Sequence, residues 1–312
     1  MILAVCLLAV SGSLLVFGTA WLERETSRTR SPLATLLAWQ LASWTVIVAM
    51  LLAAALVAVP GLAAAGRLPA GVESCLAVLR AVPNPADSGA VRAVAAGALA
   101  LAVVRLSWCA ARGAVTNHRN RARHRALLCL VGIPDAELGA HIISAPAALA
   151  YCLPGRGGRV VFTSGALAKL NPSQRMAVLA HEHAHLRGRH HLLIASASTL
   201  NRAFPGLALF RHAFARTCEL VELRADDLAS RSYGRGPVAQ ALLALADMKQ
   251  SPTVLAASAV TTAERIERLL QTSPRPRPAR IRRAASGAAV AAMIAGSPIL
   301  LATAGHAALC LL

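Results

Sequence analysis

The chain has 312 residues, of which 56% are hydrophobic and 15% charged, and it carries a net charge of +18 at pH 7. So apolar a composition excludes an ordinary soluble domain and points to membrane spans. With only 4% aromatic residues, the basic side chains lack the aromatic interleaving of a nucleic-acid groove, so no direct nucleic-acid partner is expected. The excess of arginine suits contact with anionic lipid headgroups instead.

Four apolar stretches appear in chain order, over residues 2–22, 33–59, 93–111 and 284–312. Each approaches or exceeds the ~20 residues a helix needs to cross a bilayer. Arginines crowd three of the flanks: Arg24, Arg28 and Arg30 after the first stretch, Arg112 to Arg125 after the third, and Arg275 to Arg283 before the fourth. Residues 60–92 are nearly balanced. The positive-inside rule then places both termini outside and residues 113–283 on the cytoplasmic side. The expected organisation is a membrane region over 1–112 with three transmembrane helices, an extramembrane domain over 113–283, and a fourth transmembrane helix over 284–312. Reading the first stretch as a cleaved signal is disfavoured, because it has no basic segment ahead of it.

None of the 7 cysteines stands in a C-x-x-C pair, so neither a disulfide framework nor a cysteine-based zinc site is expected. Cys152 falls nearest the motif described next. Residues 157–163 read as a glycine turn leading into a short strand, whose edge either takes up an extended peptide or pairs within a hairpin of the domain itself.

Residues 181–185 read His-Glu-His-Ala-His. On a helix, His181 and His185 sit one turn apart on one face and can share a metal ion. Glu182 lies about 100° round the axis, where it can take a proton from water beside the metal without being a ligand. The segment Asn171-Pro172-Ser173-Gln174-Arg175 reads as the start of that helix. Pro205-Gly206 breaks the chain after it, and a new helix is expected from about Leu207. That helix carries Glu219, Glu222, Asp226 and Asp227 in a chain with 14 acidic residues. Glu222 supplies the third ligand and leaves a position for water, as a catalytic zinc site requires. Asp226, on the same face, suits a hydrogen bond to a ligand imidazole. Glu219 is the alternative ligand one turn earlier. Residues 181–191 also match H-E-x-x-H-x-x-G-x-x-H, which would make His191 the third ligand after a chain reversal at Gly188. His183, His190 and His191 otherwise read as a solvated face. His212 and Tyr151 are candidates to stabilise an oxyanion. A helix is expected over 239–249, an amphipathic one around Arg265, and a stiff linker over 274–278.

The pairing of H-E-x-x-H with Glu222-Leu223-Arg224-Ala225-Asp226-Asp227-Leu228-Ala229 resembles two related sets of integral-membrane zinc peptidases. One contains the heat-shock and prenyl-protein proteases, the other the BlaR/MecR antirepressors, and the layout of spans favours the second. The resemblance implies one Zn²⁺ per chain held by His181, His185 and Glu222, with Glu182 as general base. It implies a mainly α membrane protein: four transmembrane helices plus a helical, gluzincin-like peptidase domain with a small β-sheet. It also implies a protein substrate, such as a transcriptional repressor, or autocleavage. The sequence stops at Leu312, so a penicillin-sensor domain after the fourth span is not expected within it.

Overall fold

The computed structural model describes residues 2–27, 31–59, 88–155, 157–246 and 255–271. It begins with three long helices, α1 (Ile2–Ser27), α2 (Pro32–Ala58) and α3 (Gly89–Val131). All three are long and apolar enough to cross a membrane. The expected fourth span, residues 284–312, and the 274–278 linker lie outside the described residues.

Helix α3 corrects one expectation. The arginine-rich segment after residue 111 is not a link, because the helix runs on unbroken to Val131. No proline interrupts residues 89–131, and arginine and alanine are good helix formers. At 43 residues, α3 is about 65 Å long, roughly twice the hydrocarbon thickness.

Directly after α3 comes a four-stranded sheet: β1 (Gly132–Asp135), β2 (Ala140–Ile143), β3 (Ala150–Leu153) and β4 (Arg159–Thr163). The order is β1-β2-β4-β3, with β4 parallel to β2 and antiparallel to β3. Of the two readings of β4, a free edge for a peptide or a strand paired within a hairpin, the structure has the second. Strand β4 follows β3 in a hairpin and also pairs with β2, so four of its five residues are buried. Among the described residues, the free edge nearest the site belongs to β3.

The rest is helical: α4 (Ser164–Lys169), α5 (Pro172–Arg187), α6 (His190–Ala203), α7 (Ala208–Tyr233), α8 (Arg235–Ala246) and α9 (Leu255–Leu270). Helix α8 begins earlier than the expected 239, with Pro237 tolerated in its first turn. Two apolar clusters hold these parts together. Trp39, Val46 and Ile47 of α2 pack with Leu200 of α6 and Phe210 of α7, joining the N-terminal helices to the second half of the chain. Val160 and Phe162 of β4 pack with Val178 and Leu179 of α5, fixing the sheet against the helix that bears the motif.

Candidate metal centre

Helix α5 starts where its sequence asks. Asn171 caps the Gln174 N–H at 2.9 Å, the Gln174 side chain caps the Asn171 N–H in return, and Pro172 fills the first helical position. Burial of Ala177, Val178, Leu179 and Ala184 sets the rotation of the helix. That rotation turns His181 and His185 towards α7, whose buried stripe of Val221 and Ala225 presents Glu222 back to them.

His181, His185 and Glu222 form a group whose ligand atoms all lie within 4.8 Å of one another. The two Nε2 atoms are 3.1 Å apart. His181 Nε2 stands 3.5 Å from Glu222 Oε2, and His185 Nε2 stands 3.4 Å from Oε1. A tetrahedral zinc ion with ligand bonds of 2.0–2.1 Å needs donors about 3.3–3.4 Å apart. The three donors fit that ion, with one position left open.

Each imidazole is gripped from behind. Asp226 Oδ1 lies 2.9 Å from His181 Nδ1. An ionised carboxylate only accepts, so Nδ1 carries the proton and Nε2 faces the centre. Asp226 is fully buried and is itself held by Arg265 of α9, whose Nε–H and Nη2–H donate to its two oxygens at 2.7 and 2.8 Å. Arg265 Nη1 also lies 3.0 Å from Glu222 Oε2. Behind His185 stands His190, Nδ1 to Nδ1 at 2.9 Å. Helix α5 ends at Gly188, and Arg189 takes a left-handed φ of 47° that folds α6 back and tucks His190 under the site.

These contacts set the charges. Burial opposes charge on His181, but its hydrogen bonds to Asp226 and Glu222 win and raise it to about 9. Burial also opposes charge on Glu222, yet the hydrogen bond and charge of His181, with Arg265 beside it, bring the carboxyl down to about 2. His185 is pushed down to about 4, chiefly by burial.

Glu182 faces β3. Burial is the largest influence and raises its carboxyl, while the thiol and the backbone N–H of Cys152 hydrogen-bond to it and pull the other way. Cys152 in turn is pushed up to about 12, by burial and then by the Glu182 charge. A cleft of roughly 130 Å³ opens here between α5, α7 and α8. Glu182, Glu222 and Arg265 line its polar end, and Leu149, Val178 and Leu242 its apolar walls.

Other candidates stand elsewhere. Glu219 pairs with Arg216 at 2.6 Å. His191 is outside the ligand group, beside the charges of Arg121 and Arg189. His212 meets Glu23 of α1 at 3.2 Å. Tyr151 packs with Leu128, Leu153 and Val161, on the face of the sheet opposite Cys152. Neither residue raised as an oxyanion donor reaches the centre.

Two residues at the centre were not singled out from the sequence. Arg265 appeared only as part of an amphipathic helix, although Arg265 and Arg268, one turn apart, mirror Asp226 and Asp227 on α7. His190 was read as part of a solvated face, whereas it is 2% exposed.

The family model for peptidase family M48 matches residues 114–286, more than half the chain. No curated protein and no solved structure matches. The chain belongs to peptidase family M48 and is a metalloprotease by descent.

Proposed function

We propose that this M48 chain is a membrane-bound, zinc-dependent endopeptidase, with His181, His185 and Glu222 as the metal ligands and Glu182 as the general base. The observation that carries the reading is the spacing of the three ligand atoms, 3.1 to 3.5 Å, which suits a tetrahedral ion with one vertex open.

A zinc ion held there supplies Lewis acidity, which acidifies water and polarises a scissile carbonyl. The chain's own residues do the rest. Glu182 is buried and lifted towards the range where a carboxylate can both take a proton from water and return it to a leaving amine. Cys152 of β3 stands beside the Glu182 carboxylate and favours its ionised form against the burial that raises it. Strand β3 offers an edge beside the cleft, on which an extended peptide can add as a further strand. The apolar walls from α5 and α8 accept an aliphatic side chain next to the scissile bond.

The organisation that goes with this reading is a membrane region over 1–112 and a peptidase domain over 113–283. Regulatory proteolysis of a cytoplasmic repressor, or autocleavage, is the substrate reading supported by the resemblance of the paired motifs. Purified protein in detergent, with and without Glu182→Gln, tested on casein and on a co-encoded repressor, tests the mechanism. Hydrolysis by the parent alone is expected, and equal hydrolysis by both would remove Glu182 from its role.

A further inference from the structure

Helices α6 and α7 meet in a turn at residues 204–207, Phe204-Pro205-Gly206-Leu207. This tip packs against the apolar helices. Phe204 and Leu207 join the cluster that also gathers Leu14 and Leu15 of α1, Leu51 of α2 and Leu106 of α3.

Two polar contacts give the depth. Arg105 sits inside the apolar stretch of α3, and its Nε–H donates to the Ala203 carbonyl at the C-terminal end of α6. It lies about two turns, ~10 Å, inside the level of Arg112. An arginine at that depth needs a partner, and the negative end of the α6 dipole supplies one. On α1, His212 meets Glu23 near the end of the helix, while Leu209 lies 4.0 Å from where a Cβ on Gly18 would stand. Gly18 is about 8 Å deeper along α1 than Glu23. Both helices thus put the tip well inside the apolar zone.

The outer surface of the tip suits that place. Pro205, Gly206 and Ala208 are exposed, and no charge occurs between Arg202 and Arg211. Those two arginines are exposed and flank the tip by about a turn, so their long stems can carry the guanidinium groups back to the headgroups.

We propose that the α6–α7 tip is a membrane wedge, with residues 204–208 set in the hydrocarbon of one leaflet and covered by lipid acyl chains. The proposal rests on reading α1, α2 and α3 as membrane spans. Gln40, about 12 Å along α2 from Pro32, donates to Thr217 of α7, and Glu222 lies about 8 Å further along α7, so the cleft stands near the level where α2 begins. A site anchored at that height serves peptide bonds in juxtamembrane segments.

The test is spin-label accessibility in liposomes of phosphatidylcholine and phosphatidylglycerol, using the full chain. Labels are placed by Gly206→Cys and, as a second tip variant, Pro205→Cys. Gly12→Cys and Gly97→Cys report the spans and Gly236→Cys the water side; an added Cβ meets nothing within 4 Å at Gly12, Gly97, Gly206 or Gly236. The signal of the native cysteines is subtracted with the unsubstituted protein. Tip labels are expected to lose nearly all collisions with a water-soluble nickel chelate relative to Gly236, and to collide with oxygen as Gly97 does. A protected Gly97 with a nickel-accessible tip in both variants overturns the wedge and leaves the spans standing. A nickel-accessible Gly97 overturns the spans, and the wedge with them.

Discussion

Asp226 Oδ1 and His181 Nδ1 stand 2.9 Å apart, and this contact decides which nitrogen of His181 faces His185 and Glu222 at the candidate metal centre. Asp226 is fully buried and has Arg265 as its second partner, so the pair anchors α5 to α9 through α7. Replacing Asp226 by Asn keeps the shape but weakens acceptance from the imidazole. Zinc affinity is expected to fall about 10–100-fold, measured by competition with a chromophoric chelator.

Arg265→Met leaves Asp226 buried with a single partner. Breaking a buried pair on one side costs about 3–5 kcal/mol, and thermal unfolding of the purified protein should show the loss. Arg268→Met, at an ion pair whose two members are each about a third exposed, is expected to cost under about 1 kcal/mol. Equal effects of the two substitutions would contradict the assigned role of Arg265.

His190 holds His185 as Asp226 holds His181. With Nδ1 of His190 accepting from His185, its proton sits on Nε2, which is buried with no hydrogen-bond partner among the described residues. Gly188 makes room for that ring: a Cβ there would stand 2.4 Å from His190 Nε2. His190→Phe and Gly188→Ala are both expected to weaken zinc binding by about 10–100-fold. His191→Phe, outside the ligand group, should leave it unchanged.

The pH dependence follows from the shifted groups. Without metal, His181 is raised to about 9, so it stabilises the fold fully below its unfolded value of 6.5, and that contribution is lost as pH rises through about 9. Zinc must displace the His181 proton. Apparent affinity should therefore rise with pH up to about 9, and zinc binding at pH 7 should release about one proton from this ring, read by calorimetry in buffers of different ionisation enthalpy. Glu222, brought down to about 2, stays ionised throughout that range and adds no slope.

Cys152 is expected to resist alkylation at pH 8, since its thiol is pushed up to about 12, while the exposed Cys129 reacts. Cys152→Ala removes a hydrogen bond that lowers the Glu182 carboxyl. The acid limb of the kcat/KM profile should move to higher pH, with KM little changed.

How much of this was legible in the sequence follows from range. The pairing of His181 with His185, and of Glu222 with Asp226, on one helix face each was readable because helical periodicity puts residues four apart together. The start of α5 was readable because capping is local chemistry of Asn171, Pro172 and Gln174. Arg265 was not, since its partner Asp226 is 39 residues away and meets it only once α9 packs on α7. His190 depended on the left-handed Arg189, a conformation its residue type does not signal. The sequence left open whether the 159–163 strand keeps a free edge, because sheet order is a tertiary fact: nothing in those residues says that β2 will pair there too. Helix α3 was cut short because a change from apolar to basic residues marks a change of solvent, not an end of the helix.

The most direct test of the metal centre is zinc per chain, measured by mass spectrometry on protein purified from zinc-supplemented cells. The parent and Glu182→Gln should each hold about one zinc, and His185→Ala and Glu222→Ala close to none. Zinc retained by Glu222→Ala, or lost on Glu182→Gln, would contradict the assignment of ligands and base.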